Sequence, residues 1–206
     1  MKIAIIGTGH IGGGLGRAWA KKGHEIIFGT RDAAAPDVLS LCQETGARAA
    51  SIGDAASAAE IVVLAVPHAA LEEVLRNTGS LVGKIVIDCT NGLGPGPSLI
   101  FGHTTSAVEE TAKRIPGARL VKSFNTQGAE NLVNPVYNGV RATNFFCGDD
   151  VDAKRVVKGL VEDVGFEAVD VGPLRHARFL EPLTLLWISA VQALGTREIA
   201  FKLLRR

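Results

Sequence analysis

The chain has 206 residues, room for one large domain or a medium domain with a small annex. Its 47% hydrophobic and 21% charged residues are an ordinary globular balance. A net charge of +1 gives no electrostatic reason to expect nucleic acid as a partner. The cysteines Cys42, Cys89 and Cys147 lack CxxC spacing, which argues against a metal cage or disulfide framework and fits a reducing cytoplasm.

Residues 2–6 are a short β-branched run that Gly7 ends, too short for a secretory leader. Residues 11–22 have helical composition and stop at Gly23. A second apolar run covers 25–28. A helix is expected over 36–45, with Pro36 in its first turn and Gly46 just past its end. Strands are expected over 47–50, 61–66, 85–89 and 119–124, and helices over 69–76 and 106–114. This alternation predicts parallel βαβ units, and the near-continuous Ile/Val runs predict strands covered on both faces. Beyond Asn125 the rhythm changes: strand 144–147, helix 152–164, strand 167–171, a Gly172-Pro173 turn, then a long helical pattern over 181–204. The apolar stretch 182–195 is shorter than the roughly 20 residues of a bilayer crossing, so no membrane span is expected. The reading is a Rossmann-type doubly wound parallel sheet over 1–125, with a small C-terminal α/β annex over 126–206.

Gly7-Thr8-Gly9-His10-Ile11-Gly12 fits G-x-G-x-x-G, with a strand ending before it and a helix opening within it. Gly7 permits the tight turn, Gly9 the approach of a pyrophosphate, and Gly12 close helix–strand packing. The helix N-terminus offers free N–H groups to the phosphates. NAD-selective sites place an acid at the end of the second strand. Here Gly29 and Thr30 stand there, followed by Arg31, and a hydroxyl with a guanidinium suits a 2′-phosphate. Asp32 is the competing feature, able to pair with Arg31 or bind a ribose. The expected cofactor is NADP(H).

Ligands on open α/β sheets lie beyond the carboxyl ends of the strands. Those ends carry Ala65-Val66-Pro67-His68, Thr90-Asn91-Gly92 and Phe124-Asn125-Thr126. His68 could meet a phosphate, a ribose or a substrate, or be a solvated loop residue. Asn91 and Asn125 could bond a carboxamide or ring carbonyl, or cap turns. These three are the substrate-cleft candidates. Residues 92–105 form a long Gly/Pro-rich loop that could cover the substrate. No metal site and no hydrolytic constellation stand out, and hydride transfer needs neither. An apolar stripe of Leu180, Leu183, Trp187, Val191 and Leu194 predicts a helix buried on more than one side, which a homodimer would satisfy.

The segments GTGHIGGGLGRAWAKKGHEIIFGTRD, VVLAVPHAAL, KIVIDCTNGL, VKSFNT, FFCGDD and AVDVGPL, with Glu181-Pro182-Leu183, run in order through almost the whole chain. Together they resemble the NADP oxidoreductases dependent on coenzyme F420 and the related NADPH-binding domain of the STEAP metalloreductases. The resemblance implies a hydride exchange between NADP(H) and a deazaflavin or flavin-like small-molecule coenzyme in the cleft between the two parts. It also implies that Thr30 and Arg31 hold the 2′-phosphate. Gly92, where the family leads us to expect proline, and the 92–105 loop depart from the pattern beside the expected substrate site. The residues themselves leave open an NADPH-dependent imine or carbonyl reductase, with His68 as proton donor, and a non-catalytic NADPH-binding module.

Overall fold

The structure, a computed structural model, describes all 206 residues. Six parallel strands form its centre: β1 (Lys2–Ile6), β2 (Glu25–Gly29), β3 (Arg48–Ala50), β4 (Ile61–Leu64), β5 (Ile85–Asp88) and β6 (Arg119–Lys122). Their order, β3-β2-β1-β4-β5-β6, is that of a doubly wound dinucleotide-binding sheet. Past β6 the same sheet continues through β9 (Thr143–Gly148), antiparallel to β6, and β10 (Glu167–Asp170), parallel to β9. Between β6 and β9 in sequence, β7 (Val136–Tyr137) and β8 (Val140–Arg141) form a separate small hairpin. The change of rhythm beyond Asn125 is this reversal of strand direction.

Side chains alternate across a strand, so each strand feeds two layers. Ile3 and Ile5 enter one core with Leu15, Trp19, Phe28 and Phe146; Ala4 and Ile6 enter the other with Ile27, Val62 and Leu64. Each fully buried isoleucine contributes about 1.5–3 kcal/mol. The flanking helices are α1 (His10–Ala20), α2 (Pro36–Thr45), α3 (Ile52–Ala58), α4 (His68–Asn77), α5 (Ala107–Arg114), α6 (Val151–Val164) and α7 (Ala177–Leu194). The Trp19 indole N–H donates to the Leu160 carbonyl at 2.9 Å, fastening α1 to α6 across the chain.

Three expectations are corrected. First, α3 was not foreseen: its Ala/Gly/Ser composition has no apolar stripe. Its one local signal is the Ser51 cap, which accepts from Asp54 N and donates to the Asp54 carboxylate. Second, the last helix does not span 181–204. It begins at Ala177 and ends at Leu194, where Gly195 takes φ +67° and closes it as left-handed glycines do. The tail then folds back. Thr143 N donates to the Phe201 carbonyl at 2.9 Å, and Leu203 N to Thr143 Oγ1 at 3.0 Å. Third, the apolar stripe of α7 splits. Leu180 and Trp187 face the chain's own interior, Leu183 and Val191 are half-buried and Leu194 is exposed; Phe179 and Leu186, off that stripe, are exposed as well.

Candidate functional site

The carboxyl ends of the parallel strands open onto two adjoining depressions. The first is a groove of about 600 Å³ over β1, β2 and β4, lined by Gly7, Thr8 and Gly9, by Thr30 and Arg31, and by Ala65-Val66-Pro67. Ser51 and Gly53, at the start of the unforeseen α3, complete its wall. The second begins at His10 and Ile11, is about 530 Å³, and lies over β5 and β6 against α7.

The glycine turn is shaped by contact. Gly7 has φ +106°, and a Cβ there would meet the Ala65 carbonyl oxygen at 2.5 Å. A Cβ on Gly12 would lie 2.0 Å from the Gly7 carbonyl oxygen, so Gly12 is buried beneath the turn and lines neither depression. A Cβ on Gly9 would touch no protein atom within 4 Å. The space above Gly9 is therefore free, and α1 starts there with no side-chain cap and no acid in its first turn. Its first N–H groups lack intrahelical partners, and with the positive end of the helix dipole they fit a pyrophosphate.

At the far end of the first groove Arg31 is exposed and makes no ion pair. Asp32 does not neutralise it: its Oδ1 accepts from Ala34 N at 2.9 Å, within its own turn. A free guanidinium beside the Thr30 hydroxyl fits a phosphate monoester.

The second pocket has an apolar wall of Ile11, Phe124, Trp187 and Ile188 and a polar floor. Phe124 is buried at φ +58° and meets Trp19 edge-on, with ring centroids 5.7 Å apart. A non-glycine residue in this region costs about 1–3 kcal/mol, a strain that collects at functional sites. Asn125 follows it. Its Nδ2 donates to Asn91 Oδ1 at 3.0 Å and to the Leu180 carbonyl at 3.1 Å. The Thr184 hydroxyl donates to the Asn125 carbonyl at 2.8 Å, and Asn91 Nδ2 to the same carbonyl at 3.1 Å. The folded-back tail supplies Arg197, which pairs with Glu130 at 2.5 Å and lies 5.0 Å above the Trp187 ring.

His68 stands apart. It lines neither depression, and its ring meets Phe101 edge-on at 5.7 Å. Phe101 belongs to the 92–105 loop, whose first part, residues 92–100, is a tight hairpin: Ile100 N donates to the Gly92 carbonyl at 2.7 Å and Gly94 N to the Ser98 carbonyl at 2.9 Å. Cys89 reaches the second pocket, but burial raises its thiol pKa far above the ordinary value, so it is no nucleophile. No cluster of His, Cys, Asp or Glu could hold a metal ion.

Beneath the pocket lies a buried charge cluster. Lys122 Nζ is 3.2 Å from Asp88 Oδ1 and 3.2 Å from Glu181 Oε1, and it also donates to the Thr90 carbonyl. Lys122 and Asp88 are 0% exposed and Glu181 1%. Desolvation acts to lower the lysine pKa, but the two carboxylates outweigh it, and the net shift is upward. Glu181 also accepts from Ala107 N at 2.9 Å and Val108 N at 3.2 Å, the first turn of α5. One helix is thereby tied to the start of another and to the ends of two strands.

Sequence reasoning missed Gln127, Thr184 and Arg197 as pocket residues. Thr184 lay in a helix read only for its apolar positions, and Arg197 inside a helix expected to run on. Gln127, two residues past Asn125, continued the polar strand end and was the one of the three with a local signal.

Known proteins share this fold and much of this sequence. The profile described as "NADP oxidoreductase coenzyme F420-dependent" matches residues 2–92. An F420-dependent NADP reductase of Methanothermobacter thermautotrophicus is 35% identical over 209 aligned positions, covering 92% of this chain and 88% of that one. The metalloreductase STEAP3 of Rattus norvegicus is 30% identical over 94% of this chain but only 39% of its own length. A crystal structure from Arthrobacter sp. FB24, described provisionally as an F420-dependent NADP reductase, superposes with a TM-score of 0.91. It is 34% identical, with both chains fully covered. The near-complete alignment and the superposition over the whole chain show that it belongs to the F420-dependent NADP reductase family of NADP-dependent oxidoreductases.

Proposed function

We propose that the chain moves a hydride between NADP(H), laid along the first groove, and a deazaflavin or flavin-like ring in the second pocket. The observation that carries this reading is a continuous track. A free cation at Arg31, uncapped amides at the α1 start and an apolar-walled pocket follow one another along the strand ends. When bound, the nicotinamide supplies a hydride from its C4, and the acceptor ring takes it up with a proton from water. The protein's own work is orientation. Thr30 and Arg31 hold the 2′-phosphate, the first N–H groups of α1 hold the pyrophosphate, and Phe124, Ile11 and Trp187 exclude water from the meeting point. Residues 1–125 act as the dinucleotide-binding part. Residues 126–206 close the second pocket through Gln127, Thr184, Trp187 and Arg197.

The test is loss of reduced-nicotinamide absorbance with 5-deazaflavin, FMN, FAD, a ferric chelate, a cyclic imine and a ketone as acceptors. Turnover restricted to ring coenzymes is expected. Turnover restricted to the imine or ketone would replace this reading with the reductase one, and binding of NADPH without any turnover would replace it with a non-catalytic module.

We further propose a homodimer joined through the exposed side of α7, where Phe179 is 68% and Leu186 56% exposed on one chain. Light scattering at micromolar concentration should give a dimer, and Phe179→Ser with Leu186→Ser a monomer; a monomeric parent protein refutes it. No helix is long and apolar enough to cross a membrane, and the three unpaired thiols favour a cytoplasmic setting.

A further inference from the structure

Two buried amide atoms at the second pocket have no partner. Asn125 is 3% exposed and Gln127 8%. Asn125 Oδ1 and Gln127 Nε2 make no hydrogen bond, and both residues line the pocket. The other end of each amide is engaged. Asn125 Nδ2 donates to Asn91 Oδ1 and the Leu180 carbonyl, which fixes which end of that amide is left over. Gln127 Oε1 accepts from the Thr126 hydroxyl at 3.3 Å. One acceptor and one donor therefore remain, two residues apart, desolvated by the protein and unused by it. Buried polar groups are otherwise almost always paired, and an unpaired one costs its full desolvation. The strained φ of Phe124 immediately before Asn125 sets the chain direction at this point. Of the ionic groups lining the pocket, Arg197 and Glu130 already satisfy each other. The unmet demand in this corner is for a neutral N–H beside a C=O.

We propose that Asn125 and Gln127 read the amide edge of a bound ring, Asn125 Oδ1 accepting from its N–H and Gln127 Nε2 donating to its C=O. This rests on the reading of the pocket as the place where nicotinamide and acceptor meet. Two bound groups carry that edge: the nicotinamide carboxamide, and the pyrimidinedione of a flavin-like ring.

The experiment measures dissociation constants of NADPH, FMN and a 5-deazaflavin by calorimetry for the parent protein, Gln127→Leu and Gln127→Glu, with urea midpoints to establish folding. The second variant keeps the shape of the side chain and replaces the donor with an acceptor. A loss of NADPH affinity of about tenfold, the worth of roughly one hydrogen bond, with the rings unaffected assigns the edge to the carboxamide. The 3-acetylpyridine analogue of the dinucleotide, which keeps the C=O and lacks the N–H, then binds the parent protein several-fold more weakly than NADPH. A comparable loss confined to the rings assigns the edge to the acceptor. Folded variants that bind all three probes within twofold of the parent overturn the amide-edge inference alone. A parent protein that binds none of them overturns it together with the reading of the pocket.

Discussion

Replacing Lys122 by methionine removes the only cation from a site that is closed to water. Glu181 keeps two backbone donors, Ala107 N and Val108 N, at the positive end of α5. Asp88 keeps only Thr90 N at 2.7 Å, and its Oδ2 has no partner at all. Methionine fills most of the volume, so the cost is electrostatic rather than a cavity. Stripping one partner from a buried ion pair costs about 3–5 kcal/mol. For a chain of this size, at about 2–4 °C per kcal/mol, that lowers Tm by roughly 6–20 °C. The asymmetry gives a sharper expectation. Adding Asp88→Asn to Lys122→Met should restore more than half of the loss, since the asparagine still accepts from Thr90 N. Adding Glu181→Gln should restore less, because that carboxylate was never left alone. Urea unfolding followed by circular dichroism, with unchanged m-values, supplies the free energies. A loss below about 1 kcal/mol for Lys122→Met, or a better rescue by Glu181→Gln than by Asp88→Asn, refutes the account.

Arg31→Ala should weaken NADPH binding about tenfold, the lower end of a charge-assisted contact because the side chain is exposed, and leave NADH within twofold; calorimetric titration showing equal losses would count against the 2′-phosphate assignment. Gly9→Val should fold normally, since φ −68° suits any residue and a Cβ there meets nothing, yet lose dinucleotide binding. Gly12→Ala should instead unfold at a lower temperature because its Cβ drives into the Gly7 carbonyl; melting curves that rank the two variants the other way defeat the division of roles. The carboxyl of Asp150 is lowered from 3.8 to about 2, first by its hydrogen bond from Arg119, and that of Glu109 is lowered first by Arg178. A depressed folded pKa contributes stability that is complete above the unfolded value and lost as pH falls through the folded one. The urea midpoint should therefore decline from about pH 4 toward pH 2, less steeply in Arg119→Gln; a midpoint that rises on acidification contradicts this.

Features carried by neighbours in sequence were legible before any fold was known. Runs such as IVVL and IVID announce strands buried on both faces, because only a covered strand can afford no polar alternation. The turn Gly7–Gly12 and the pair Thr30-Arg31 mark the groove proposed for the dinucleotide, since turn geometry and strand-end chemistry are set within a few residues. The sequence by itself determined that much: the parallel half of the sheet, the glycine turn, and the residues at the strand ends. Tertiary structure decided the rest. The reversal of β9 against β6, the return of the tail past Gly195, and the meeting of Lys122 with Asp88 and Glu181 join residues many positions apart. The same holds for the second pocket, where Asn91, Asn125, Gln127, Thr184 and Arg197 come from four separate stretches of chain. Periodicity along a chain records which face of an element is apolar. It carries no record of which distant polar group will lie opposite once that face is buried, and it is burial beside a particular partner that turns a lysine into a fixed charge or an amide into an unmet donor.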